Sequence, residues 1–298
     1  MKKLSIVVNA DTRPKSLLPQ SSILDSQGGC SCTDFMTHGV RNKINYFRDY
    51  PIHEVILFID IQEPIPDSVM NDLNLLIAEY PFVKPTFFKY VPHEMGQLWQ
   101  CKKYDMVYLE ALCMATGDYI AHFDGDMGAF RTDNCKIIDR YFKWLDNNEY
   151  DFISLPMFGS PNAGNEDREY WWASTRFFIC KKERIDRDEI IRCFDNSYIK
   201  QKYGVNCWPN CLEHILGCQV GNGRVLYPPE EFFNGDFTND TGFSPFKECG
   251  YMIFSWATYH RKTMQKLNST SYEEVYDYII KTCGGIHGAN DVIGKEIV

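Results

Sequence analysis

Up to residue 124 the chain alternates short apolar runs with longer amphipathic segments, and that order leaves few folds open. "LSIVVNA" (residues 4–10), "HEVILFIDI" (53–61), "PTFFKYV" (85–91) and "YIAHF" (119–123) read as strands. Between them lie stretches with apolar positions at helical spacing: around 35–47, "DSVMNDLNLLIAEY" (67–80) with Asp67 as its cap, and "LWQCKKYDMVYLEALCMA" (98–115). Strand and helix in this alternation predict an α/β protein, a mixed but mostly parallel sheet with helices on both faces.

The fourth run leads into "FDGDM". In an extended backbone residues i and i+2 point the same way, so Asp124 and Asp126 present two carboxylates together at a strand end. Gly125 between them leaves room for a close approach to the backbone. Two like charges at that spacing repel unless a cation lies between them. Acids also end the first run (Asp11) and the second (Asp60), and open α/β sheets bind ligands at the carboxyl ends of their strands.

Charge narrows the partners. A net charge of -9 leaves no basic block to neutralise nucleic-acid phosphates, although a nucleotide needs only a local site. The apolar run at residues 4–8 soon meets Asn, Asp and Arg, too short for a secretion signal. No run approaches the roughly 20 apolar residues of a membrane span. A soluble, cytoplasmic protein with its 12 cysteines mostly reduced and buried is expected. Oligomeric state is not legible.

The second half is less regular. "RYFKWLDNN" (140–148) reads as a helix, "YDFISLPMF" (150–158) as a strand, and a Gly-, Pro- and Asn-rich loop leads into the aromatic strand around "TRFFICK". Without a linker or repeat, one domain over residues 1–298 is the economical reading, with a nucleotide-binding half (1–130) and an acceptor-binding half (131–298).

On these residues the chain resembles the GT-A glycosyltransferases of the family-2-like kind. "LSIVVNADTRP" looks like their first strand and nucleotide loop, "EVILFID" like the second strand, and "ATGDYIAHFDGDM" like the segment carrying their Asp-x-Asp motif. The resemblance covers residues 4–130 well and the remainder in outline. It implies an enzyme, a hexosyl-type transferase moving a sugar from a nucleoside-diphosphate donor, UDP-linked by expectation, to a saccharide or other hydroxyl acceptor. It further implies Mn²⁺ or Mg²⁺ on hard carboxylate oxygens, clamping the diphosphate as charge develops. Asp126 would be a direct ligand, Asp124 would reach the ribose or the metal, and a third ligand would be His260, with His287 its rival. Nucleotide contacts would come from Asn9, Ala10, Asp11, Arg13 and Asp60. Asp11 and Arg13 could instead only cap and pair within a surface turn. Lys103 could line the diphosphate, where many relatives have an Arg-Asn pair. An inverting relative needs a base for the acceptor hydroxyl. Glu213 in "CLEHILG" is the first choice and His214, standing where relatives carry aspartate, the second. A retaining enzyme would use the pair for positioning alone.

Trp171 and Trp172, being consecutive, cannot share one strand face. One of them, or Trp208, could stack on a sugar ring, although core packing is the commoner use. Cys207, Cys211, His214 and Cys218 superficially resemble a zinc set, and Cys30 and Cys32 could contribute. On one continuous helix that set would spread over about 16 Å, too far for one ion with bonds near ~2.3 Å. Two other functions stay open. A sugar nucleotidyltransferase usually has a glycine-rich loop after the first strand, which "NADTRPKSLLPQ" lacks. A catalytically silent nucleotide-sugar-binding relative is favoured by the irregular Glu213-His214 and disfavoured by the intact acid pair.

Overall fold

The computed structural model describes residues 2–11, 36–61, 64–65, 67–88, 103–124, 127–131, 137–154, 173–204, 211–221, 224–226 and 251–255. In chain order the elements are β1 (Leu4–Asp11), α1 (Met36–Tyr46), β2 (Ile52–Asp60), α2 (Asp67–Glu79), β3 (Val83–Phe88), α3 (Lys103–Met114), β4 (Tyr119–Asp124) and β5 (Met127–Arg131). They continue as α4 (Ile137–Asp146), β6 (Phe152–Ser154), β7 (Phe177–Lys181), α5 (Arg187–Cys193), α6 (Asn196–Tyr203), α7 (Leu212–Val220), β8 (Val225–Leu226) and β9 (Tyr251–Ser255).

Seven strands form one sheet in the order β3-β2-β1-β4-β7-β6-β8. The first four are mutually parallel, as the alternation predicts, and β7 runs antiparallel to both β4 and β6. Alternate residues of each strand feed opposite faces. Leu4, Ile6, Val8, Leu57, Ala121 and Phe123 pack on the side of α1, α2 and α4. Val7, Ile56, Phe58, Ile120 and Phe178 pack on the side of α3, α5, α6 and α7. Strand β3 starts two residues earlier than the sequence suggests, and residues 89–91 of the expected run lie outside the described residues. Its Pro85 lacks a ladder donor, which an edge strand tolerates and a central one does not. No helix among the described residues is long and apolar enough to cross a membrane.

The turn into β4 is fixed by close contact with β1. Gly117 N donates to Ser5 Oγ at 2.8 Å, and a Cβ built on Gly117 would lie 2.9 Å from both Lys3 O and Ser5 N. Those are backbone atoms and cannot step aside. Gly117→Ala is therefore expected to destabilise the chain by about 2–3 kcal/mol, read as a lower urea midpoint with an unchanged slope.

Candidate functional site

The site forms where the sheet reverses direction. From β1 the order runs outward to β2 and β3 on one side, whereas β4 joins on the other, a switch point of the kind beyond which open α/β sheets bind their ligands. Backbone register places the expected acids there: Asp11 lies opposite Asp60, and Asn9 opposite Asp124. Neighbouring strands are about 4.8 Å apart, so three acid-bearing strand ends sit side by side. Asp124 is half-buried. Ala10 packs against the core, which leaves its backbone as its ligand-facing part. Lys103 is the first residue of α3, and that helix runs down to β4, so Lys103 belongs to the same edge as the acids.

Immediately after Asp126 the chain enters β5, which pairs antiparallel with β9, Met127 lying opposite Ser255. Ser255 of β9 therefore lies next to Met127, the residue after Asp126, and His260 follows five residues later in the sequence. Arg13, Asp126, His260, His287, Trp171, Trp172, Trp208, Cys30, Cys32 and Cys207 lie outside the described residues.

Glu213 reaches this edge from α7. Its Oε1 accepts from Thr175 N at 2.6 Å, Thr175 Oγ1 at 2.8 Å and Ser174 Oγ at 3.4 Å. One residue further on, Arg176 O accepts from Asp124 N at 3.1 Å. Glu213 thus holds the turn that meets the end of β4, and its Oε2 makes no hydrogen bond to a described residue. His214, next on the helix, is buried, and burial lowers its pKa. A neutral, enclosed imidazole reaches an acceptor hydroxyl less readily than the half-buried carboxylate beside it.

Sequence reasoning missed four contributors. Arg176, exposed and immediately before β7, lies beside Asp124 and adds a cation to an acidic edge. Ser174 and Thr175 anchor Glu213. His122 lies wholly buried in β4 with Nε2 2.9 Å from Asn9 Oδ1. Burial pushes the His122 pKa down to about 3, with the Thr175 backbone opposing that and nearby Lys43 adding to it. A histidine inside an otherwise apolar strand run was the available signal.

The zinc alternative gains no support. Cys211 precedes α7 while His214 and Cys218 lie along it. Among the described residues no group of three or more His, Cys, Asp or Glu is placed to hold a metal. Burial raises the Cys211 thiol to about 12.

No protein-family model matches the chain, and no curated protein matches it. Among solved structures it is similar to the galactosyltransferase LgtC in complex with donor and acceptor sugar analogs, at 10% identity over 95% of this chain and 96% of that one, with a TM-score of 0.47. An active-site mutant of LgtC gives 10% identity over the same shares, with a TM-score of 0.44.

Proposed function

We propose that the chain is a GT-A glycosyltransferase that moves a sugar from a nucleoside-diphosphate donor, a UDP-sugar in the first instance, to a hydroxyl acceptor. One observation carries the reading: the register that lines up Asn9 with Asp124 and Asp11 with Asp60 at the sheet's switch point, directly before a ribbon that pairs Met127 with Ser255. The nucleoside lies against the ends of β1 and β2, met by Asn9, the Ala10 backbone, Asp11 and Asp60. Arg13, Lys103 and Arg176 offer positive charge to the phosphates. Asp124, Asp126 and His260 would hold Mn²⁺ or Mg²⁺. Bound there, the cation supplies charge that stabilises the departing diphosphate.

The acceptor binds in the half formed by residues 131–298, with Trp171, Trp172 or Trp208 as a platform for a sugar ring. Glu213 Oε2 takes the proton as the acceptor oxygen bonds to the anomeric carbon. The carbon–oxygen bond to the diphosphate breaks, and the leaving group keeps its electron pair. Glu213→Gln separates this duty from the structural one. Glutamine keeps an acceptor oxygen for Thr175, so stability should stay within about 1 kcal/mol of the parent, whereas kcat should fall about 10²–10³-fold. Loss of stability with kcat intact would restrict Glu213 to a positioning role.

The reading is tested by incubating the protein with UDP-, GDP-, CDP-, ADP- and dTDP-sugars, with Mn²⁺ or with EDTA, and measuring nucleoside-diphosphate release. Metal-dependent release from one donor class is expected. Formation of a nucleotide-sugar from a nucleoside triphosphate and a sugar phosphate would replace the transferase by a nucleotidyltransferase.

A further inference from the structure

We infer that His122 is a positioning residue for the nucleoside: its Nε2–H fixes the Asn9 carboxamide so that Asn9 Nδ2 is held as a donor for an uncharged oxygen of the ligand, a base carbonyl or a ribose hydroxyl. The inference rests on the donor site proposed above and adds to it a residue that touches no ligand.

Asn9 and His122 stand on adjacent parallel strands and are both buried, at 6% and 0% exposure. The imidazole has little freedom to turn. Phe178 stacks on it with centroids 5.2 Å apart and rings within 21°, and Tyr108 meets it edge-on at 5.4 Å. Nε2 lies 2.9 Å from Asn9 Oδ1. That oxygen can only accept, so the contact requires the ring form that carries its hydrogen on Nε2. In that form the amide cannot flip without setting a donor against a donor.

Asn9 Nδ2 is then the free end of the pair, buried and without a partner among the described residues. A buried amide donor left unpaired destabilises the fold. Such a group is retained where a ligand supplies the acceptor. Asn9 faces Asp124 in register at the switch point, with Asp11 and Asp60 just beyond. That acidic edge favours a neutral oxygen at this point over a bare phosphate, which fits the nucleoside end of a donor.

The test is calorimetric binding of UDP, GDP, CDP, ADP and dTDP with Mn²⁺, and of the matching monophosphate without metal. The variants are His122→Phe, His122→Gln, Asn9→Ala and the double variant His122→Phe/Asn9→Ala. Phenylalanine keeps the packing and removes the donor. Glutamine places an N–H near the position of Nε2. His122→Phe should weaken binding about tenfold for the diphosphate and the monophosphate alike, and His122→Gln should recover most of it. Since His122 acts through Asn9, the double variant should bind no more weakly than Asn9→Ala alone.

Unchanged affinity in His122→Phe, or two losses that simply multiply in the double variant, would overturn the inference while leaving the donor site standing. No nucleotide binding by the parent protein would instead remove the donor site itself. If His122→Phe does not fold, His122→Gln is compared with His122→Asn, which offers its N–H at the wrong place. Equal affinity of those two would also overturn the inference.

Discussion

Replacing Asp126 by alanine is expected to lower turnover of the nucleotide-sugar donor by about 10³-fold or more, with the folded state intact. A diphosphate carries concentrated charge, and breaking its bond to the sugar adds more. Removing a direct metal ligand leaves that charge without its counter-ion at the moment of transfer. The substituted residue falls in the two-residue interval between β4 and β5. Asp124→Ala should cost less if its carboxylate reaches the ribose or meets the metal through water. Asp126→Ala should also abolish the Mn²⁺-dependent rise in melting temperature that a nucleoside diphosphate gives the parent. An Asp126→Ala protein that keeps this metal-dependent rise would mean that the cation sits elsewhere.

The second large effect falls at the opposite end of the sheet. Glu54, at the start of β2, is almost wholly buried. It accepts from Ser5 Oγ at 2.8 Å, Thr116 N and Thr116 Oγ1 at 2.7 Å each, and Lys84 Nζ at 2.6 Å. Burial alone would raise its pKa. The Lys84 ammonium and the Thr116 and Ser5 donors outweigh burial and hold it at about 2, against 4.5 unperturbed. Lys84 is more than half exposed and can rehydrate if the carboxylate is lost. The Thr116 amide and the Ser5 hydroxyl cannot do so as easily, because they close the seam between β1, β2 and the turn into β4. Glu54→Ala should therefore cost about 3–4 kcal/mol of stability at neutral pH, read from urea unfolding.

The pH dependence has a definite sign. The folded-state pKa is depressed, so the stabilising contribution is complete above about 4.5 and is lost as pH falls through about 2. Across that window the parent should lose roughly 3 kcal/mol more than the Glu54→Ala protein does. Parallel pH profiles for the two proteins would show that the network contributes little.

The parallel half of the sheet is legible in the sequence because its strands are short apolar runs separated by helical periodicity. The acids are legible because each ends such a run. What escaped depends on partners distant in sequence. The five residues of β5 have too few apolar positions to mark a strand, and it forms only by pairing with β9, more than a hundred residues later. The antiparallel direction of β7 is equally silent, since "FFICK" carries the same signal either way. Helices α5 and α6 do carry local marks that were passed over. Asp186 and Asp195 cap their first turns, and Gly204 ends α6 with φ of 67°. At the site, Glu213 was found by analogy of position. Its grip on Thr175 spans 38 residues of chain and has no local trace. His122 was hidden by its neighbours, which make the stretch read as plain core.

The central claim is that the acids ending β4 hold a divalent cation against the donor's diphosphate. Anomalous diffraction from crystals grown with Mn²⁺ and a nucleoside diphosphate tests it most directly. A manganese peak about 2.0–2.3 Å from a carboxylate oxygen of the Asp124–Asp126 pair, in contact with a phosphate oxygen, is predicted. Bound nucleotide with no ion beside that pair, or a manganese site remote from it, would contradict the account.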